Sequence, residues 1–136
     1  MKKINYIYIF ILIFTFFDLS ADISYFQKGK DLFAEKKYDL AKFKFEQDLV
    51  FNPKNENSYL YLAKIFKFKK DENQEESNLK TVILLNPKNE EAIYHLALLK
   101  IRKSNYSESK NLLNTFKKNC QNLCQKSDEL RNKLNS

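Results

Sequence analysis

Residues able to do chemistry are few in this chain of 136 residues. His95 is the single histidine, so a His-activated nucleophile or a polyhistidine metal site has almost nothing to build on. Gly29 is the single glycine, which leaves no Gly-rich loop to cradle a phosphate. The carboxylate pairs Glu75–Glu76 and Glu90–Glu91 are adjacent in sequence. Sequence neighbours do not face one another on a helix, so these pairs read as solvated helix faces.

Cys120 and Cys124, in the stretch NCQNLCQ, are the only cysteines. In an oxidising compartment an isolated pair is a disulfide candidate. One continuous helix would point both side chains outward one turn apart, a poor geometry for a bridge. A bend between Asn119 and Leu123 would bring them together and pin the tail to what precedes it. Two free, partly packed thiols and redox or metal chemistry are the other readings, although the spacing is not CxxC and two thiols do not close a zinc site. No catalytic residue, metal-ligand set or cofactor emerges. The chain reads as a non-enzyme that acts through a surface.

That surface needs a scaffold, and composition narrows the choice. With 30% charged and 43% apolar residues the balance is globular, and one domain is the prior at this length. One Gly and two Pro are too few for the many turns of an all-β fold. Helices joined by short turns are expected.

The first residues, MKKINYIYIFILIFTFFDLSADISYF, are set aside before fold reasoning. Lys2 and Lys3 precede an apolar run from Ile7 to Phe17, and small residues follow at Ser20 and Ala21. This layout predicts a signal peptide over residues 1–21, cut near Ala21–Asp22, or an N-terminal membrane anchor over residues 4–19. The apolar run is 11 residues, against the ~20 of a spanning helix. No cysteine lies near the cut, which closes the lipoprotein route. Both readings place the protein outside the cytoplasm, in the periplasm or cell envelope. Removing the segment changes the net charge from +7 to about +6. A basic exported chain favours anionic partners such as lipid headgroups, acidic envelope polymers or acidic proteins; nucleic acid is not expected there. The same charge, spread evenly, would serve solubility alone.

Between Asp22 and Asn122 the chain repeats itself. FNPKNE at Phe51–Glu56 returns as LNPKNE at Leu85–Glu90, 34 residues later. Other positions keep the step: Gly29, Ala63 and Ala97 are small, while Tyr25, Tyr59 and Ile93, and Phe45, Leu79 and Leu113, are bulky. A fixed period of this length marks stacked repeats. Within a copy the spacing is helical: Tyr25, Gly29 and Leu32 share one face, Ala41, Phe45 and Leu49 another. KKYD at Lys36–Asp39 supplies the bend between them. The residue before proline avoids helical geometry, so helices are expected to end near Phe51 and Leu85, with Pro53 and Pro87 opening the next helix.

This pattern resembles the tetratricopeptide repeat family. Its elements are Tyr25, Gly29, Leu32, Ala41, Phe45 and Pro53 in the first copy, and Tyr59, Leu62, Ala63, Phe66, Leu79, Val82 and Pro87 in the second. Ile93, Leu96, Ala97, Leu113 and Phe116 carry the third. The resemblance implies an all-α, right-handed α-solenoid of three helix-turn-helix repeats, over residues 22–55, 56–89 and 90–122. Asp48 and Glu75 depart from a preference for small residues, Lys100 from an aromatic, and Gln121 from the terminal proline. Residues 123–136 follow as a capping helix. There Leu123, Leu130 and Leu134 form a narrow apolar stripe that either covers the last repeat or docks on a partner.

The resemblance also implies where a partner would bind. First helices of such pairs line a concave groove for peptides. Carried over, this gives Phe26, Gln27, Lys30 and Phe33 from the first copy and Asn57, Leu60, Tyr61, Lys64 and Phe68 from the second. The third contributes Glu91, Tyr94, His95, Leu98 and Arg102. Such a lining is aromatic with scattered positive charge, although each of these residues could equally pack in the core. Relatives that hold chaperone tails use a two-carboxylate clamp of Lys, Asn and Arg. Here the matching places carry Phe26, Lys30, Tyr61, Glu91 and His95, and that function is not expected. The expected partner is a protein or peptide, with membrane contact through Lys-rich stretches, Phe66–Lys70 and Lys117–Asn119, as the alternative. The oligomeric state is left open.

Overall fold

Most helix starts are written locally, by a side chain that accepts from an otherwise orphaned backbone N–H. Ser24, Asn55, Asp71, Asn89 and Asn105 all do so. In a computed structural model that describes residues 24–135, seven helices follow one another. They are α1 (Tyr25–Ala34), α2 (Tyr38–Phe51), α3 (Glu56–Phe68), α4 (Glu72–Leu85), α5 (Glu90–Arg102), α6 (Tyr106–Asn119) and α7 (Lys126–Asn135). The expected signal peptide or anchor lies outside the described residues. No strand occurs among those described.

α1 pairs with α2, α3 with α4 and α5 with α6; α2 then packs on α3 and α4 on α5, while α7 lies against α5 and α6. The result is three stacked helical hairpins and a cover. The bend inside each hairpin is the same device used three times. Lys36, Lys70 and Ser104, each 34 residues apart, take left-handed φ values of 60°, 59° and 57°. The next N–H reaches back over the helix end, from Lys37 to the Leu32 carbonyl, Asp71 to Phe66 and Asn105 to Lys100. This is a Schellman closure, where glycine is usual.

The small-residue crossings follow partner size. Gly29 is buried against Phe45, whose ring carbons would lie 2.7–2.9 Å from an added Cβ. Ala63 and Ala97 keep their Cβ because the matching residues are smaller, Leu79 in one cluster and Leu113 in the other. Glycine stands opposite phenylalanine, alanine opposite leucine.

Helices α2 and α4 end at Phe51 and Leu85. The prolines, however, do not open the following helices, as the sequence led us to expect. Pro53 and Pro87 lie second in turns closed by Asn55 N–H to Asn52 O and Asn89 N–H to Asn86 O, a position that suits the fixed φ of proline. The helices begin three residues later, at Glu56 and Glu90.

The residues that depart from the repeat pattern are buried and satisfied. Asp48, 1% exposed, accepts from Asn52, Asn55 and the Ser58 hydroxyl at 3.0, 2.6 and 2.6 Å. Glu75, 2% exposed, is paired with the Arg102 guanidinium. Lys100 is buried between Glu76 and Glu108, at 2.7 and 2.8 Å. Each charge is placed where a partner compensates its desolvation.

The cover helix begins at Lys126, so Leu123 lies in the bend before it rather than on its stripe. Leu130 is fully buried against Ile93, Tyr94, Ala97, Leu113 and Phe116, with Leu123 and Leu134 half-buried beside it. These leucines cover the last hairpin and are not a free docking stripe.

Candidate functional site

First helices of successive hairpins touch along one side of the stack. Phe26 of α1 meets Tyr61 of α3 at 5.9 Å between ring centroids. Lys64 of α3 pairs with Glu91 of α5 at 2.8 Å, and Lys126 of α7 lies over the Tyr94 ring of α5 at 5.6 Å. α1, α3, α5 and α7 therefore form one wall, whose two halves differ.

At the α1–α3 half, aromatic rings fill the wall. Phe33 packs edge-on to Tyr38 and Tyr61 at 5.4 and 5.1 Å. Tyr38 stacks on Phe68 at 4.7 Å, and Tyr61 on the buried Phe45 at 4.9 Å. Lys64 Nζ sits 4.8 Å over the Tyr61 ring and Lys30 Nζ 5.5 Å over Phe26. Such ring pairs stabilise by about 0.5–1.5 kcal/mol beyond their buried area. Little of this half is left open except the outer face of Phe68, 58% exposed.

At the α3–α5–α7 half a cleft of about 590 Å³ remains. Its floor is Leu98 and Ile101 of α5, with the edge of Tyr94; its rim is cationic, from Lys67, Arg102, Lys126 and Lys133, with Glu129 the acidic member. Tyr94 is 7% exposed and bonded to Glu129, and burial followed by that partner raises its pKa to about 12. Tyr94, and after it Lys126, holds the Glu129 carboxyl below its ordinary value. His95 borders the cleft, its Nε2 3.6 Å from Glu91 Oε1 and its Nδ1 buried without a hydrogen-bond partner among the described residues. The His95 imidazole beside it, aided by Lys64 against burial, lowers the Glu91 pKa to about 2. A hollow of about 460 Å³ at the first Asn-Pro turn is lined by five consecutive residues, Phe51 to Asn55, and gathers no side chain from another element.

Solved structures share this architecture. The second TPR domain of human RPAP3, in complex with the HSP70 peptide SGPTIEEVD, superposes with a TM-score of 0.74 at 17% identity, covering 84% of this chain and 94% of that one. The yeast Sti1 TPR2B domain, in its pHsp70 complex, gives 0.72 at 15%, over 79% and 90%. The Sgt2 TPR domain from Aspergillus fumigatus gives 0.69 at 16%, over 82% and 77%. The fold is that of the tetratricopeptide repeat. No protein-family model matches the sequence, and no curated protein matches it.

Within the tetratricopeptide-repeat fold, the residues assigned to the groove divide. His95, Leu98 and Arg102 meet at the cleft, as does the edge of Tyr94. Lys30 and Lys64 lie on the wall beside it, above Phe26 and Tyr61. Leu60 does not reach it: 5% exposed, it belongs to the core with Ala63, Leu79, Val82, Ala92 and Leu96. Its equivalents 34 residues away, Phe26 and Tyr94, are partly and fully buried, because this register position points at the first helix of the next hairpin. Tyr94 is accordingly a core ring with one edge on the cleft, and an alanine at Tyr61 or Tyr94 would disturb packing as much as binding. Asn57 is exposed, and its N–H is held by the Asn55 side chain at 3.2 Å. Phe26, Phe33 and Phe68 are packed in the aromatic half rather than lining an open trough.

Lys67, Ile101 and the α7 residues were missed. The repeat step itself points to the first two, since Lys67 and Ile101 are the 34-residue equivalents of Phe33. Phe68 and Arg102 are instead equivalents of Ala34, a one-residue slip in carrying the groove along the chain. The leucine stripe of α7 suggests a cover or a docking helix, and nothing in it says that its polar side faces a cleft.

The repeated phrase also holds more than its proline. Its last residue, Glu56 or Glu90, clamps the next turn along. Glu56 accepts from the Asn86 and Asn89 side chains at 3.0 and 3.3 Å. Glu90 accepts from the backbone N–H groups of Gln121, Asn122 and Leu123 at 2.9, 3.1 and 3.0 Å. Burial opposes the charge of Glu90, yet those N–H groups lower its pKa overall. The third turn has Gln121 in place of proline, and the N–H that proline would lack is the one Glu90 binds. Across the same bend Cys120 and Cys124 form a disulfide, their Cα atoms 5.2 Å apart.

Proposed function

We propose that this protein is an exported scaffold that holds an acidic segment of a protein partner in the cleft between α3, α5 and α7, within an assembly of the bacterial envelope. The observation that carries this reading is the cleft itself: an apolar floor of Leu98 and Ile101 beneath a rim of Lys67, Arg102, Lys126 and Lys133. A narrow apolar floor takes one or two side chains, and a flanking carboxylate pairs with Lys67 in the field of a rim whose Arg102 and Lys126 also hold Glu75 and Glu129. Tetratricopeptide-repeat domains of RPAP3 and Sti1 are seen with peptides from chaperones. The places of their kind of clamp are occupied here by Phe26, Lys30, Tyr61, Glu91 and His95, so the partner is of another kind. Export is supported by the basic-then-apolar start of the sequence and by the cysteine pair, which persists in oxidising compartments.

The test is crosslinking in intact cells with sequencing of the mature N-terminus. Wild-type protein is compared with a Lys67→Glu/Lys126→Glu variant and a Lys118→Glu control. The double reversal should lower capture of the crosslinked partner at least tenfold while the control retains it. Equal capture by all three would remove the cleft from the proposal, and a cytoplasmic pool with residue 1 intact would remove export.

A further inference from the structure

The two ends of the stack are finished differently. At the C-terminal end α7 lies across the last hairpin and Leu130 is fully buried. At the other end the outer face of α2 is bare among the described residues. Leu40, Phe43, Val50 and Phe51 are 56%, 54%, 76% and 68% exposed. Helical phase puts Phe43 and Val50 opposite the buried Ala41, Phe45 and Asp48, with Leu40 and Phe51 on the flank beside them. A stack end of this kind ordinarily carries a polar cover, and a soluble surface rarely gathers such residues without a use.

The charge around this arc is one-sided. Lys44 Nζ lies 5.2 Å over the Phe43 ring and 5.5 Å over Tyr25. Lys28 on α1 and Lys36 and Lys54, just beyond the two ends of α2, are exposed. Of the local carboxylates, Glu46, Asp39 and Glu35 are matched by Lys42, Lys69 and Lys37, while Asp31 accepts from the Gln27 amide. Tyr25 stacks on Phe51 with centroids 5.6 Å apart, so the first described helix begins beside the patch. A second copy is a poor occupant, because a two-fold contact would set the same lysines against one another.

We propose that the outer face of α2 rests on an anionic lipid bilayer. Leu40, Phe43, Val50 and Phe51 enter the boundary between headgroups and acyl chains, while Lys28, Lys36, Lys44 and Lys54 meet lipid phosphates, their stems lying along the apolar surface. This orientation turns the cleft, at the far end of the stack, away from the bilayer. The inference is separate from the reading of the cleft and stands or falls without it.

The chain contains no tryptophan, so a single introduced one reports its own surroundings. Full-length Val50→Trp and Asn114→Trp proteins are mixed with vesicles carrying brominated acyl chains, either neutral phosphatidylcholine or one-third phosphatidylglycerol. Because the N-terminal stretch can hold both proteins on a vesicle, the readout is quenching of the probe rather than binding. Val50→Trp emission should shift to the blue and fall at least twofold with the anionic vesicles, and recover in 0.5 M salt, while Asn114→Trp, on the exposed side of α6, stays unquenched. Absence of quenching at position 50, or equal quenching in neutral vesicles, overturns the proposal. A blue shift at position 50 that depends on protein concentration without vesicles overturns it in favour of self-association.

Discussion

The first and third hairpins join the middle one by different physics. Where α1 and α2 meet α3, the contact is made by rings: Phe26, Phe33, Tyr38, Phe45, Tyr61 and Phe68 touch one another at 4.7–6.2 Å. Where α4 meets α5, apolar side chains share the work with charges. Glu75 and Glu72 meet Arg102, and Glu76 meets Lys100 and Lys103. Ring packing fills space and leaves little to bind with; on the charged side a cleft opens over Leu98 and Ile101, with Arg102 on its rim. One repeat pattern therefore yields a closed half and an open half, according to which side chains occupy equivalent positions.

Breaking the charged side should have the largest effect. Arg102→Ala strands the buried Glu75 carboxylate, and removing one partner of a buried pair costs about 3–5 kcal/mol. The exposure of Arg102, 37% for its side chain, places the expected loss near the lower figure. Glu75→Ala should be nearly neutral, since alanine stands at the equivalent Ala41 and Arg102 keeps Glu72. Urea unfolding of the two single variants and the double one checks this: equal losses from both single changes would mean that the pair is not the cause.

The ring side should respond to volume instead. Gly29→Ala forces the Phe45 ring to move, and overpacking costs about 1–3 kcal/mol, more than the ~1 kcal/mol that alanine gains in a helix. Adding Phe45→Leu, which copies the alanine–leucine match of the other repeats, should recover most of the loss. A double-mutant cycle in thermal unfolding reads that coupling, and simple additivity would sink the size-matching account.

Acid should separate the halves more gently. Hydrogen bonds from Lys100, Lys103 and Lys80 hold Glu76 well below the usual carboxylate range, and His95 with Lys64 lowers the Glu91 pKa to about 2. Folded-state values below the unfolded ones, near ~4.3, stabilise the fold above that pH, and the contribution is lost as pH falls toward 2. Melting temperatures from pH 6 to 2.5 should fall for wild type and fall less steeply for Glu76→Gln/Glu91→Gln. Parallel curves would show that these carboxylates do not set the acid response.

The smallest effect should ignore the comparison altogether. Lys36, Lys70 and Ser104 all adopt left-handed backbone, which costs an L-residue about 1 kcal/mol that glycine avoids. Each change to glycine should raise stability by up to about that amount, alike in all three hairpins and additively, because the sites are far apart. Calorimetry of the singles and the triple decides, and a loss at any one site would mean that its side chain does more than tolerate the bend.

Much of this was legible beforehand, for reasons that can be named. The 34-residue step, the apolar spacing and the Asn-Pro phrase place the helices because turns and helix faces are local matters, decided by neighbours in the chain. The closures at Lys36, Lys70 and Ser104 were hidden because none is glycine. Glu56 and Glu90 were hidden because their partners lie 30–33 residues ahead. Leu60 falls in the groove that the family resemblance implies, because a position carried over from a family says where a side chain sits in the repeat but not what stands against it.

What the sequence determined by itself is the unit and its count: a helical hairpin, too short to stand alone, written three times with matched small and bulky positions. The tertiary structure decided what the units enclose. Whether a wall is filled or open depends on side chains from three or four helices converging on one place, as rings do around Tyr61 and as α3, α5 and α7 do around Leu98. That convergence is long-range, and a pattern of period 34 carries the same local instructions to every copy regardless of it.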